Sequence, residues 1–403
     1  MDTKKTSRIT FLVFPTLFFF LVIFVSNFLL PVGEQHNSLL ARSFLDGKLF
    51  FINEPLHKWI DTAFFGNHHY WPLGPFPTVI LMLPVFLFSF FGKFFYQGYL
   101  QFFIVLAVFI LVYKISQKLK YSNSDSFFLT FGFSFSSAFL GVSILSWSWW
   151  FTQVVTTLLL FLAIHEYLNK KRYLLIGTIF GFIAATRLSA LPPVAFFFLE
   201  ILLGSKKLFT SKLKSFFFLF IPILISLMLL AGYNYQRFGN IFEQGYNYQI
   251  LLTESLSKAR EYGIFSLAHL PTNLYYFLLS VPLPIFRDGV SHVLKFPFVM
   301  ADPWGMSIFI TSPYFIYLFF LKYKDKISKL FLVSIFLTAL PILLYYGVGF
   351  RQFGYRYSLD FLPFLFWLLI RNYNSKYKKL SNKFKILVLI SAFTNLYLFR
   401  TLF

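Results

Sequence analysis

Residues 9–30 read ITFLVFPTLFFFLVIFVSNFLL, a run without a single charge, and Lys4, Lys5 and Arg8 stand just before it. A helix needs about 20 apolar residues to cross the hydrocarbon core of a bilayer. The run is too long for the core of a signal peptide, and no small-residue cleavage site follows it. It predicts a retained anchor with its N-terminus in the cytoplasm, the side on which Lys and Arg accumulate.

Outward from this segment the pattern repeats. Further candidate spans are residues 98–115, 126–146, 151–168, 173–186, 189–203, 215–232, 305–321, 330–349, 361–371 and 386–402. Of 403 residues, 58% are hydrophobic and 13% charged. A soluble domain carries about 25% charge, so a water-soluble fold is excluded. The chain has no cysteine, which rules out disulfides and thiolate metal sites. The expected fold is all-α: a polytopic membrane protein with about eleven transmembrane helices. Helices are required because lipid offers no partners to backbone amides.

Sidedness follows from charge. The net charge of +21 comes from 36 Lys and Arg against 15 Asp and Glu. Most of the cations sit in short runs between spans, such as Lys170–Arg172, as the positive-inside rule produces. Nucleic acid is therefore not an expected partner. The short pair 173–186 and 189–203 is flanked by basic residues on both sides, which predicts a hairpin turning near Arg187 at the outer side. Counting 76–95 as a span would reverse the pattern. With Pro72, Pro75, Pro77 and Pro84 in the region, 76–95 is expected to lie in or dip into the outer interface. The chain reads as one membrane domain, 1–403, with long outer loops over about 32–96 and 233–304.

Polar residues collect in those loops. The first contains GEQHNSLLARSFLDGKLFF (33–51) and NEPLHKWIDTAFFGNHHYWPLGPFPTVILMLP (53–84). Residues 35–46 have helical apolar spacing, stopped by Gly47, and predict an interfacial helix. Asp46 beside Gly47 suits a turn, and Glu54 before Pro55 a solvated loop. Adjacent His68 and His69 point apart and lack regular ligand spacing, so no metal site is assigned. Asp61 lies in an apolar frame of Trp59, Ile60, Ala63, Phe64 and Phe65, where a carboxylate is costly unless paired or useful. His57, four residues earlier, is placed to pair with it on a helical face. Glu34, just past the first span, is the second candidate acid.

The second loop opens with GYNYQRFGNIFEQGYNYQ (232–249). Its tyrosines and amides suit sugar recognition, and equally an interfacial aromatic belt. Residues 267–288, LAHLPTNLYYFLLSVPLPIFRD, suggest another interfacial helix, with His269 and Asn273 four apart. Near the C-terminal end, GFRQFGYRYSLDF (349–361) places Arg351 and Arg356 at an outer turn. Guanidinium forks suit phosphate, and Arg187 is expected at the same face. The alternative for these arginines is pairing with Asp360 or snorkelling.

The segments ARSFLDGKLFF (41–51), IDTAFFGNHHYWPLGPFPTVILMLP (60–84), GTIFGFIAATRLSALP (177–192), YNYQRFGNIFEQGY (233–246) and GYRYSLDF (354–361) resemble, in that order, GT-C-type membrane glycosyltransferases. The relatives in view are the protein-O-mannosyl, aminoarabinose and oligosaccharyl transferases, and the nearest are poorly characterised bacterial members. The resemblance implies a GT-C-like fold and transfer of a sugar from a polyprenyl-phosphate carrier at the outer face of a bacterial cytoplasmic membrane. The acceptor would be a glycan, lipid or protein. An acid of the first outer loop, Asp61 or Glu34, would act as general base. Arg351, Arg356, Arg187 and Arg237, with Tyr70 and His69, would bind phosphate and substrate. Many family members carry a second acid between the third and fourth spans. Here that turn, LSWSWWFTQ (145–153), has none.

A lipid phosphate is a good leaving group, so no nucleotide is needed, and no Gly-rich phosphate loop occurs. The cofactor is otherwise left open, a divalent metal included. Two rival functions are carried: a transporter or flippase of lipid-linked glycans, and a non-catalytic membrane partner.

Overall fold

A computed structural model describes residues 3–30, 33–55, 59–204 and 208–403. His57 and the expected loop boundary at Val32 lie outside the described residues. Helix α1 (Thr3–Phe24) passes into a π turn (Val25–Leu29). Next come α2 (His36–Leu45) and a small antiparallel hairpin, β1 (Ala63–Phe65) with β2 (His68–Tyr70). Then follow α3 (Phe76–Ser89), α4 (Gln97–Lys118), α5 (Asn123–Phe135), α6 (Phe139–Ile144), α7 (Ser148–Asn169), α8 (Tyr173–Ala184), α9 (Val194–Gly204) and α10 (Phe209–Phe238). The second long loop carries α11 (Glu254–Glu261), α12 (Leu270–Leu278) and the hairpin β3 (Leu283–Phe286) with β4 (Leu294–Met300). The chain closes with α13 (Ile308–Thr311), a 3-10 run (Pro313–Phe320), α14 (Lys326–Leu343), a 3-10 turn (Arg356–Asp360), α15 (Leu362–Tyr377) and α16 (Asn382–Leu402).

The protein is an all-α polytopic membrane protein. Among the described residues six helices are long and apolar enough to cross a bilayer, from α1, α4, α7, α10, α14 and α16. Burial explains their lateral order. Phe19 and Ile23 are fully buried, and Phe19 stacks on Phe135 of α5 at 4.7 Å. Phe14, Leu17 and Leu21, on the other face of α1, are exposed. An exposed apolar face on a helix of this length is a surface for lipid. α10 is the extreme case, with only 17% of its apolar window buried. By contrast α7 is 78% buried and forms the central post.

The shorter elements differ from the sequence expectation in detail. The expected span 126–146 breaks into α5 and α6 around Ser136. The span 305–321 is a short helix followed by a 3-10 run. Tyr233 to Phe238, read as loop, belongs to α10. The helix ends one residue later, at Gly239, whose φ of 66° provides a left-handed cap.

The hairpin expected at Arg187 is present: α8 ends at Ala184, and a 3-10 turn over Leu188–Ala190 leads back into α9. α8 lies directly on α10. A Cβ at Gly177 would stand 2.2 Å from the Leu219 carbonyl oxygen, so only glycine permits this approach. Ser226 of α10 donates to the Gly181 carbonyl at 2.6 Å. Small residues four apart commonly let membrane helices meet this closely.

One end of the bundle carries the long loops. There Ser148, at the start of α7, donates its hydroxyl to the Glu34 carbonyl at 2.9 Å. Gln97, at the start of α4, donates to the same carbonyl at 3.1 Å. α3 leaves from this end too, since the Phe76 amide donates to the Ala185 carbonyl just past α8. Both ends of the 76–96 segment are therefore tied to one end of the bundle, and α3 does not cross. Its 14 residues lie along that end against α2. The opposite end holds paired charges: Arg172 with Glu166, Arg371 with Asp325 and Lys385 with Asp125.

Candidate functional site

Three loop segments converge beside α7. Asp61 sits in a turn rather than a helix, and its expected partner His57 lies outside the described residues. Its φ is 63°, the left-handed region that Asp tolerates better than most residues. Its backbone is fixed from the second long loop: the Asp61 amide donates to the Ile250 carbonyl, and the Ile250 amide to the Thr62 carbonyl, each at 2.9 Å. The β1–β2 hairpin follows at once. His69 stacks on Trp59 at 4.0 Å and meets the Thr62 hydroxyl at 3.0 Å. Tyr70 is buried edge-on to Phe238 at 5.2 Å. His69 therefore braces the Asp61 turn, Tyr70 pairs with Ala63 just beyond it, and neither lines the adjoining cavity.

The Asp61 carboxylate is held at both oxygens. Trp149 Nε1–H donates to Oδ2 at 3.1 Å and Gln249 donates to Oδ1 at 3.4 Å. Burial raises its pKa to about 6, the nearby Glu34 carboxylate adds to the rise, and the Trp149 bond and the Arg356 charge oppose it. Glu34 is itself raised above the usual carboxylate range by burial. Two carboxylates and a guanidinium are thus in electrostatic reach of one another.

Arg356 opens the 3-10 turn after the third loop segment. Its Nη1 donates to Gln153 Oε1 at 3.3 Å, and Gln153 returns a bond to the Arg356 carbonyl at 3.2 Å. Its Nε is buried without a hydrogen-bond partner. Asp360, at the other end of the same turn, bonds Arg187 through both oxygens at 3.0 Å each, and Ser189 donates to it as well. Asp360 thus compensates the charge of Arg187. Arg351 stands exposed at φ 48° and is not among the residues that line the adjoining cavity.

A cavity of about 420 Å³ lies against the cluster. Its walls include Trp149, Arg187, Arg237, Tyr246, Tyr345 and Tyr357. Tyr357 lies between two arginines, with the Arg356 guanidinium 4.7 Å and that of Arg187 5.9 Å from its ring centre. Arg237, at the end of α10, donates to the Trp71 carbonyl and to Asn234 Oδ1, both at 2.7 Å, and its ring contact is Tyr233 at 3.9 Å. Its Nε has no hydrogen-bond partner, and the Glu243 carboxylate on the same cavity wall acts on its charge without a direct bond. A second, apolar groove of about 360 Å³ shares Leu230 with this cavity. Phe76 and Val79 of α3, Phe182 of α8, and Ile225 and Leu229 of α10 line it, and all but Phe76 are exposed.

Sequence reasoning named Asp61, Glu34, Arg356 and Arg237 as candidates and did not name the residues that hold them. The turn noted for its missing acid, 145–153, supplies three of them: Ser148 to Glu34, Trp149 to Asp61 and Gln153 to Arg356. The available signal was the polar Ser148 and Gln153 at the head of an otherwise apolar span. Among the described residues no group of three His, Cys, Asp or Glu gathers for a metal. Asp61 and Glu34 alone do not make a closed protein cage; a hard cation there would draw its other ligands from substrate and water.

No protein-family model matches the chain, and no curated protein matches it. The structure is similar to two solved structures from Archaeoglobus fulgidus. One is archaeal oligosaccharyltransferase AglB in complex with an inhibitory peptide and a dolichol-phosphate, at 14% identity and a TM-score of 0.45, covering 100% of this chain and 56% of that one. The other is the oligosaccharyltransferase tethered to an acceptor peptide containing the NVT sequon, at 14% identity and a TM-score of 0.47, covering 96% and 54%. The chain thus spans little more than half the length of these structures.

Proposed function

We propose that this protein is a GT-C-type glycosyltransferase. It moves a sugar from a polyprenyl-phosphate carrier to a hydroxyl acceptor, a glycan, lipid or protein, at the outer face of a bacterial cytoplasmic membrane. One observation carries the proposal: a carboxylate with a pKa pushed up to about 6, Asp61, is bonded to a wall residue of a cavity that also presents the buried guanidinium of Arg237, whose Nε has no hydrogen-bond partner.

Each part has a task. A general base works best with a pKa near the working pH, and Asp61 meets that condition. Asp61 takes the proton of the acceptor hydroxyl as its oxygen bonds to the anomeric carbon. The bond from that carbon to the phosphate oxygen breaks, and the electron pair leaves on the phosphate. Arg237 balances the charge gained there, as preorganised cations do at developing anions. The proton later passes from Asp61 to water. Arg356 and Glu34 set the field at Asp61 from opposite sides. Arg187, already compensated by Asp360, shapes the wall with Tyr357, and Arg351 takes no direct part. The apolar groove beside Leu230 suits the carrier's hydrocarbon chain. The whole chain acts as one membrane domain.

The test is native mass spectrometry of the purified protein with undecaprenyl phosphate. The wild type is expected to retain the lipid and Arg237→Gln to lose it. Equal retention by both proteins would remove Arg237 from the phosphate site. Movement of a lipid-linked sugar across liposomes without its transfer would replace the enzyme by a flippase.

A further inference from the structure

The second long loop has an arm that the site does not use. β3 and β4 pair antiparallel, with Leu283 opposite Met300 and Phe286 opposite Leu294. The tip is ordered, because Asp288 accepts from the amides of Val290 and Ser291 and from the Ser291 hydroxyl. Yet the arm displays apolar side chains to the outside. Val290 is 88% exposed and Phe296 74%, and Phe286, Val293, Leu294 and Phe298 are exposed as well. So large an exposed apolar patch marks an interaction surface.

The partner is indicated by what the ribbon joins. α16 shows one exposed apolar stripe, Ile386, Ile390, Phe393 and Tyr397, at helical spacing along a span. β4 rests on the end of that stripe: the Tyr397 hydroxyl donates to the Pro297 carbonyl, and the Ala301 amide donates to Thr401 Oγ1 at 3.0 Å. The hairpin therefore continues the lipid-facing surface. It cannot sink into hydrocarbon, because a two-stranded sheet leaves unpaired amides on both outer edges. Arg287, Asp288 and Lys295 on the same arm also require water or headgroups.

We propose that the β3–β4 hairpin is an interfacial anchor, lying on the bilayer with Val290 and Phe296 among the lipid headgroups and upper acyl carbons. The other arm of the same loop carries Gln249 and Ile250, which hold Asp61. The loop is thus tied to the membrane at one end and to the candidate site at the other.

The chain has no cysteine, so single nitroxide labels can be placed without background. Full-length protein in lipid nanodiscs carries the label at Val290→Cys or Phe296→Cys. Ile390→Cys serves as the lipid reference and Ser257→Cys, on exposed α11, as the water reference. Both hairpin labels are expected to collide with oxygen nearly as often as the Ile390 label, and several-fold less than the Ser257 label with a water-soluble nickel chelate. Chelate access equal to that of Ser257 overturns the proposal. Protection from both reagents overturns it too, and assigns the arm to a protein partner or a second copy. The outcome does not depend on what reaction the protein catalyses.

Discussion

The Trp149 indole bridges the cavity and the acid: its ring forms part of the cavity wall while its Nε1–H donates to Asp61 Oδ2 at 3.1 Å. This bond opposes the rise that burial imposes on the Asp61 pKa and, with the Gln249 bond, fixes where the carboxylate points. A donor to a carboxylate favours the ionised form, so Trp149 lowers a pKa that burial and Glu34 raise.

Trp149→Phe keeps most of the wall and removes the donor. The Asp61 pKa then climbs above about 6. The acid limb of the pH–rate profile moves to higher pH, and activity at neutral pH falls. A profile of transfer rate between pH 5 and 8 reads this directly. An unmoved acid limb would separate Trp149 from the base.

Arg356→Gln acts with the same sign through a different agent, loss of a nearby positive charge that favours ionised Asp61. Its acid limb also moves up. Because the Gln153 bonds hold the Arg356 backbone as well, Gln153→Leu should give a smaller shift together with a lower melting midpoint.

Asp61→Asn carries a stability signature. The folded pKa, about 6, lies above the ordinary aspartate value of 3.8. At pH above both values the folded state bears the cost of a buried charge. Below both values the group is protonated in either state and the cost is gone. Asp61→Asn is therefore expected to stabilise the protein near pH 7.5 by about 2 kcal/mol or less, with the gain vanishing as pH falls towards 4. Melting midpoints across that range in detergent provide the check; a destabilised variant at pH 7.5 would contradict the assigned burial cost.

The buried pair Arg187–Asp360 predicts a non-additive cycle. Removing one partner of a buried pair costs about 3–5 kcal/mol, while replacing both by apolar residues costs far less. Asp360→Leu should be strongly destabilised, and Arg187→Met with Asp360→Leu largely recovered. Equal loss in both would mean that the pair does not act as a unit.

Much of the fold was legible in the sequence. Uncharged runs and basic flanks gave the spans, the hairpin at Arg187 and the non-crossing course of 76–95. Gly47, with a φ of 71°, closes the helix it was expected to close. What was not legible depends on contacts far apart in sequence. The partner of Arg187 is Asp360, and nothing local distinguishes Asp360 as a mate for Arg187 from a mate for Arg351 or Arg356. Asp61 was singled out because a carboxylate in an apolar frame is conspicuous. Trp149 was not, because a tryptophan at a membrane interface is ordinary and only the fold brings it to Asp61. The β3–β4 hairpin was missed because Leu283–Phe286 shares the apolar character of α12, and a strand carrying Pro284 gives no local strand signal.

The most direct measurement is donor consumption. Purified protein in nanodiscs is given polyprenyl-phosphate sugars together with lipid and glycan acceptors, and both glycosylated product and freed polyprenyl phosphate are followed. The wild type is expected to produce both in equal amounts. Asp61→Asn, at matched folded protein, is expected to lose about 10²–10⁴-fold in rate, the range for a positioned base. Undiminished product from Asp61→Asn would contradict the account.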